Sequence, residues 1–169
     1  MIWFGLYVAS IVGANWALAT IGVVPVGFGL MAPAGVYFAG AVYTFRDLTQ
    51  VALGKRWALV AIFLGAAISL LTSRQFALAS LAAFLLGELL DMLIFSRLRQ
   101  QGRILEAFAA GNTVGVALDS LVFLSAAFGS VALFPGLFVG KSWITLLTLL
   151  LTYRWRKSMV PVRAAPASA

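Results

Sequence analysis

The chain has neither cysteine nor histidine among its 169 residues. Without cysteine there is no disulfide framework and no thiolate chemistry. Without histidine there are no imidazole metal ligands, no imidazole proton relays and no Ser-His catalytic pairing. Charge is scarce too: 10% of residues are Asp, Glu, Lys or Arg, and only five are acidic. No Walker A run occurs, so the chain is expected to hydrolyse no ATP itself. A membrane hydrolase would have few players here, since a paired acid in a G-x-G-D setting is also missing. The expectation is a protein that is not an enzyme and uses no cofactor or metal.

What the chain does have is apolar surface. Hydrophobic residues make up 63% of it and its mean hydropathy is +1.03. No water-soluble domain of this size needs that share, so the reading is an integral membrane protein. No Lys or Arg precedes the first apolar run, so a signal-peptide n-region is lacking and Ile2 onward reads as a retained helix. The net charge of +7 does not point to nucleic acid, because the basic residues gather at segment ends.

A spanning helix needs about 20 mostly apolar residues. Six segments qualify: Ile2–Thr20, Pro33–Leu53, Trp57–Thr72, Gln75–Phe95, Ile104–Phe128 and Leu133–Tyr153. Between the first two, Ile21–Gly35 is apolar but broken by Pro25, Gly27, Gly29 and Pro33, and reads as a loop at or dipping into the membrane. The fold class is therefore all-α: six transmembrane helices in one domain over 1–155, followed by a disordered, Pro/Ala-rich tail over 156–169. With the N-terminus inside, the inner side receives Lys55, Arg56, Arg97, Arg99, Arg103, Arg154, Arg156, Lys157 and Arg163, and the outer side only Arg74. That asymmetry places both termini in the cytoplasm and the chain, multi-pass, in the cell inner membrane.

Polar residues inside the segments are the candidate site. A carboxylate at mid-membrane costs about 2.5–3.5 kcal/mol on insertion scales. The fourth segment carries Glu88 and Asp91 against 11 Leu, Ile or Phe residues, which offset about 3–7 kcal/mol at roughly 0.3–0.6 each. The helix is marginal unless its acids have partners. For Asp91, an interfacial pair with Arg97 or Arg99 stands beside a deeper role; for Glu88, a full turn further in, a cavity-facing role is favoured. A rise of about 1.5 Å per residue sorts the polar residues by depth into two layers. Arg46, Glu88 and Asn112 lie roughly 10–12 Å above the inner boundary, and Asn15, Asp119 and Lys141 roughly 18–22 Å above it. Arg46 is expected to meet Glu88 or Asp47, and Lys141 to meet Asp119. Two deep cations against four acids leave two acids for protonation, for Arg97 or for a donor-rich ligand. A purely structural ion-pair network is the competing account.

Small residues recur at Gly5, Ala9, Gly13 and Ala17, and again at Gly111, Gly115, Gly136 and Gly140, where helices pack closely. The first stripe would serve an internal helix, a homodimer mate or another subunit alike. Among the aromatics, Trp16, Tyr43, Phe45 and Trp143 adjoin the polar positions and could stack on a flat ligand.

Four stretches in order, RDLTQ, GELLDMLIFSRLRQ, GNTVGVALDS and GKSW, resemble the vitamin uptake transporter family, also called the queuosine precursor transporters. The resemblance runs from about Ala32 to Thr152, and Asn15 matches an Asn of the family's first helix. It implies six helices, similar to the substrate-binding subunits of energy-coupling-factor transporters, and uptake of a 7-deazaguanine base, a nucleobase-like small molecule. Carried over by position, it implies substrate-binding roles for Asn15, Asp47, Glu88, Asp91, Asn112, Asp119 and Lys141; Arg46 joins them from its depth alone. Glu88 departs from the Gln expected in relatives. An alternative is the substrate-binding subunit of an ATPase-driven transporter, with the Gly5–Ala17 stripe docking on the ATPase module.

Overall fold

A computed structural model describes residues 1–72 and 77–154. Within them the elements are α1 (Ile2–Thr20), β1 (Val23–Gly27), β2 (Leu30–Pro33), α2 (Val36–Leu53), α3 (Lys55–Thr72), α4 (Ala77–Gln100), α5 (Ile104–Phe128) and α6 (Phe134–Arg154). Six helices therefore stand where six were expected, with α1 and α5 at the predicted bounds. Arg74 and the tail from residue 155 lie outside the described residues.

Three features differ from the sequence reading. The chain is not purely α-helical. Ile21–Gly35 contains an antiparallel hairpin, paired Val23 to Pro33, Val24 to Ala32 and Pro25 to Met31. Its turn runs through Gly27, Phe28 and Gly29, all at positive φ. The two glycines take that conformation without a Cβ penalty, which is how a stretch scored as broken closes into a hairpin. Pro25 is tolerated because each strand of a two-stranded sheet has a free edge. Secondly, α4 runs on to Gln100, so Arg97 and Arg99 occupy its last turn rather than a loop. Thirdly, the stripe on α1 packs only in its second half. Gly5 and Ala9 are exposed, whereas an added Cβ on Gly13 would stand 2.9 Å from the Phe38 ring and Ala17 is buried.

Polarity is arranged inside out. Arg46, Asp47, Glu88, Asp91 and Asn112 have no exposed surface, while Phe63, Leu71, Leu78, Leu93, Leu147 and Leu150 are more than half exposed. That distribution suits a hydrocarbon solvent and not water. Among the described residues, α1, Leu78–Gln100 and α5 are long and apolar enough to cross a membrane.

Glycines set the closest approaches. α4 and α5 form an antiparallel pair in which Gly87 and Gly115 face one another: an added Cβ on either would meet the other's carbonyl oxygen at 2.9 Å. The hairpin rests on α6, where Gly136 lies against the Met31 carbonyl and the Trp143 indole donates to the Val26 carbonyl at 2.9 Å. Val26, Ala32, Val36, Leu124 and Leu137 form the core beneath it. Gly136→Ala drives a Cβ into that backbone carbonyl. It should lower stability by about 1–3 kcal/mol, read as a lower melting temperature in detergent; an unchanged melt would mean that the hairpin shifts freely.

Candidate functional site

Helices α1, α2, α4, α5 and α6 line a partly open cavity of about 140 Å³. One water needs only ~10–15 Å³, so the space is roughly ten times larger than a single water requires. Its polar walls are Asn15, Ser80, Asp119 and Lys141, and its aromatic walls include Tyr43 and Phe84. On α4, Ser80, Phe84 and Gly87 fall at i, i+4 and i+7, which is one helix face. Gly87 keeps that face low, so that Asp119 of α5 comes through beside Tyr43.

Lys141 donates to Asp119 Oδ2 and, at 3.1 Å, to Ser120 Oγ. The ammonium thus has two oxygen partners, as a buried charge needs. Asp119 is the more open of the pair, its side chain 16% exposed against 5% for Lys141. Asn15 donates its amide nitrogen to the Ile11 carbonyl at 2.9 Å, leaving its oxygen as the acceptor it offers. The wall thus holds a carboxylate, an ammonium, an amide oxygen and the Ser80 hydroxyl next to aromatic rings.

The second polar group is closed off from this cavity. Arg46 Nη1 lies 2.7 Å from Asp47 Oδ1, Nε donates to Glu88 Oε2 at 2.9 Å, and Nη2 lies 2.5 Å from Asp91 Oδ2. Only the Glu88 contact has hydrogen-bond alignment; the other two are close ion pairs. None of the four residues lines the cavity. Tyr43 stands at the junction. Its hydroxyl donates to the Gly115 carbonyl at 3.3 Å. Around Gly87 its neighbour is Asp119, and around Gly115 its neighbour is Asp91.

The expected residues therefore divide. Asn15, Asp119 and Lys141 meet at the cavity; Arg46, Asp47, Glu88 and Asp91 meet in the closed cluster. Asn112 is fully buried away from the cavity lining. Two expectations are corrected. Asp91 does not pair with Arg97 or Arg99: Arg97 is exposed, and Arg99 turns to the carbonyls of Gln50 and Val51 at 3.1 and 3.4 Å. Glu88 faces Arg46 rather than the cavity. Of the four aromatics, only Tyr43 stays at the site. Trp16 is 58% exposed, Phe45 stacks on Trp3, and Trp143 stacks on Phe28. Ser80, Phe84 and Ser120 were missed. The face shared with Gly87 and Asp91 pointed to the first two, and adjacency to Asp119 pointed to the third.

A family model described as "putative vitamin uptake transporter" matches residues 67–162, more than half of the chain. The matched stretch contains Glu88, Asp91, Asn112, Asp119 and Lys141. No curated protein and no solved structure matches the chain.

Proposed function

The chain belongs to the vitamin uptake transporter family, and from that premise we propose that it imports a queuosine precursor, a 7-deazaguanine base such as preQ0 or preQ1. The observation that carries this reading is the carboxylate–ammonium pair of Asp119 and Lys141 on the wall of an aromatic-sided cavity. A guanine-like base presents an N1–H and an exocyclic amine side by side. The Asp119 carboxylate accepts from both, and Lys141 or Ser80 donates to the oxygen on the neighbouring edge. Stacking against Tyr43, Phe84 or Phe123 adds about 1–3 kcal/mol. The protein acts as a carrier without chemistry on its cargo, crossing the inner membrane six times in a fold similar to substrate-binding subunits of energy-coupling-factor transporters.

Equilibrium binding of the purified protein to a panel of nucleobases and vitamins tests the substrate class. The 7-deazaguanine bases should bind, and an analogue lacking the exocyclic amine should bind at least tenfold more weakly. Preference for a vitamin without a guanine-like edge would overturn the assignment.

The distribution of cations supports a topology with both termini in the cytoplasm. A cysteine at Gly129, in the α5–α6 connection, should react with an impermeant thiol reagent from outside intact cells, and one at Gly102, in the α4–α5 turn, should not. The reverse labelling would invert the topology.

A further inference from the structure

The cluster around Arg46 has no task in the uptake just described, yet its charge does not balance. One guanidinium contacts three carboxylates, and all four side chains are fully buried. In their ordinary ionised forms these groups would carry two surplus negative charges away from solvent. A buried carboxylate without a counter-charge is relieved by taking up a cation, and the proton is the one that needs no added space.

Side chains from two other helices point the same way. Asn112 on α5 is fully buried, and neither of its amide atoms has a hydrogen-bond partner among the described residues. Phe108, one turn before it, belongs to the core cluster against which Leu48 and Val51 of α2 pack, so Asn112 lies level with the next turn of α2, which holds Asp47. Gly111, its neighbour, lies against the Asp91 carboxylate. From α1, the buried hydroxyl of Tyr7 is likewise without a partner, as is Glu88 Oε1, and Tyr7 shares a core cluster with Val42, one turn before Arg46 on α2. An amide and a phenol can each donate to a carboxylate or accept from a carboxyl group, so both suit a site that is protonated part of the time.

We propose that the Arg46–Asp47–Glu88–Asp91 cluster is a proton-binding site, holding at least one carboxyl proton at neutral pH and linked electrostatically to the cavity through Tyr43. The step is simple binding: a carboxylate oxygen takes a proton from bulk water and becomes a hydroxyl. The groups facing the cluster are Tyr7 from α1, Tyr43 from α2, and Asp119 from α5 with its partner Lys141 from α6. Arg99 lies lower on α4, held by α2 carbonyls. Loss of the proton raises negative charge on one side of Tyr43, opposite the Asp119 carboxylate on the other. A donor bound at Asp119 offsets part of the same negative charge that a cluster proton offsets, so the two oppose one another, which on the proposed function couples entry of the base to release of a proton.

Infrared difference spectroscopy of the purified full chain tests the site without any substrate. The chain has only five acidic side chains, Asp47, Glu88, Asp91, Glu106 and Asp119, so bands are assignable by substitution. A protonated carboxyl band should be present at neutral pH and disappear as the pH is raised. At least one of the shape-conserving changes Asp47→Asn, Glu88→Gln or Asp91→Asn should remove it. Absence of the band in the native chain, or its survival in all three variants, would overturn the site. In Asp119→Asn, which removes the charge across Tyr43, the band should be lost at a lower pH; an unchanged titration would overturn the linkage. If 7-deazaguanine bases fail to bind while the band behaves as expected, the substrate reading fails and the proton site stands.

Discussion

Arg46→Ala is expected to be among the most damaging single substitutions in this chain. It removes the one cation that, among the described residues, contacts Asp47, Glu88 and Asp91, all at zero exposure. Breaking a buried pair from one side costs about 3–5 kcal/mol, because the remaining charge is left without solvent or partner. Two features of the result would identify the cause. Adding Glu88→Gln and Asp91→Asn should recover part of the loss, since two of the three stranded carboxylates are then gone. Lowering the pH should also help, because a protonated carboxyl no longer needs the guanidinium. Detergent melting curves of the single, double and triple variants measure both. Strictly additive losses would show that these side chains do not act together.

Asp119→Asn should separate binding from folding. The change keeps the shape and replaces one acceptor oxygen with a donor, which then faces the donors of the base. Lys141 loses its counter-ion but keeps Ser120 Oγ as a partner beside the cavity, so the protein should stay folded with a lowered melting temperature. A site built for a hydrogen bond and then mismatched loses heavily, because buried polar groups are left unpaired. The expected loss is at least tenfold, or about 1.4 kcal/mol, in affinity for a 7-deazaguanine base in a protein that is still folded. Removing the exocyclic amine from the ligand should cost the native protein much more than the variant. Native affinity in Asp119→Asn would make Asp119 a structural partner of Lys141 and nothing more.

Helices were legible because each apolar run ends in an abrupt marker. Gly22, two residues after Thr20, is at positive φ, and Phe128 is followed by Gly129 in the left-handed conformation. Depth counting also worked for Arg46 with Glu88 and for Lys141 with Asp119, since rise per residue is nearly constant. It could not work for azimuth. Asp91 sits one turn nearer the arginines than Glu88, yet Gly111 and Gly115 make room for it on the α5 side, where Arg46 reaches it. That depends on which helices are neighbours, which hydropathy does not encode. The hairpin was hidden for another reason: its prolines and glycines mark both a membrane loop and a tight turn, and only the pairing of Val23–Pro25 with Met31–Pro33 decides between them.

The adjacency of Arg46 and Asp47 on α2 has a consequence for biogenesis. On the six-span topology proposed above, helices leave the ribosome in chain order, so α2 would enter the bilayer before α4 is made. Arg46 travels with its own counter-ion, at 2.7 Å on the next residue, and the helix carries no net charge between Val36 and Leu53. The fourth helix has no such companion: Glu88 and Asp91 lie on its apolar part, with Arg97 and Arg99 only in its last turn. It becomes comfortable in lipid once α2 is waiting with a guanidinium. The early helix thus acts as a receptor for the later one, and the order of synthesis is also the order in which each charge finds its match.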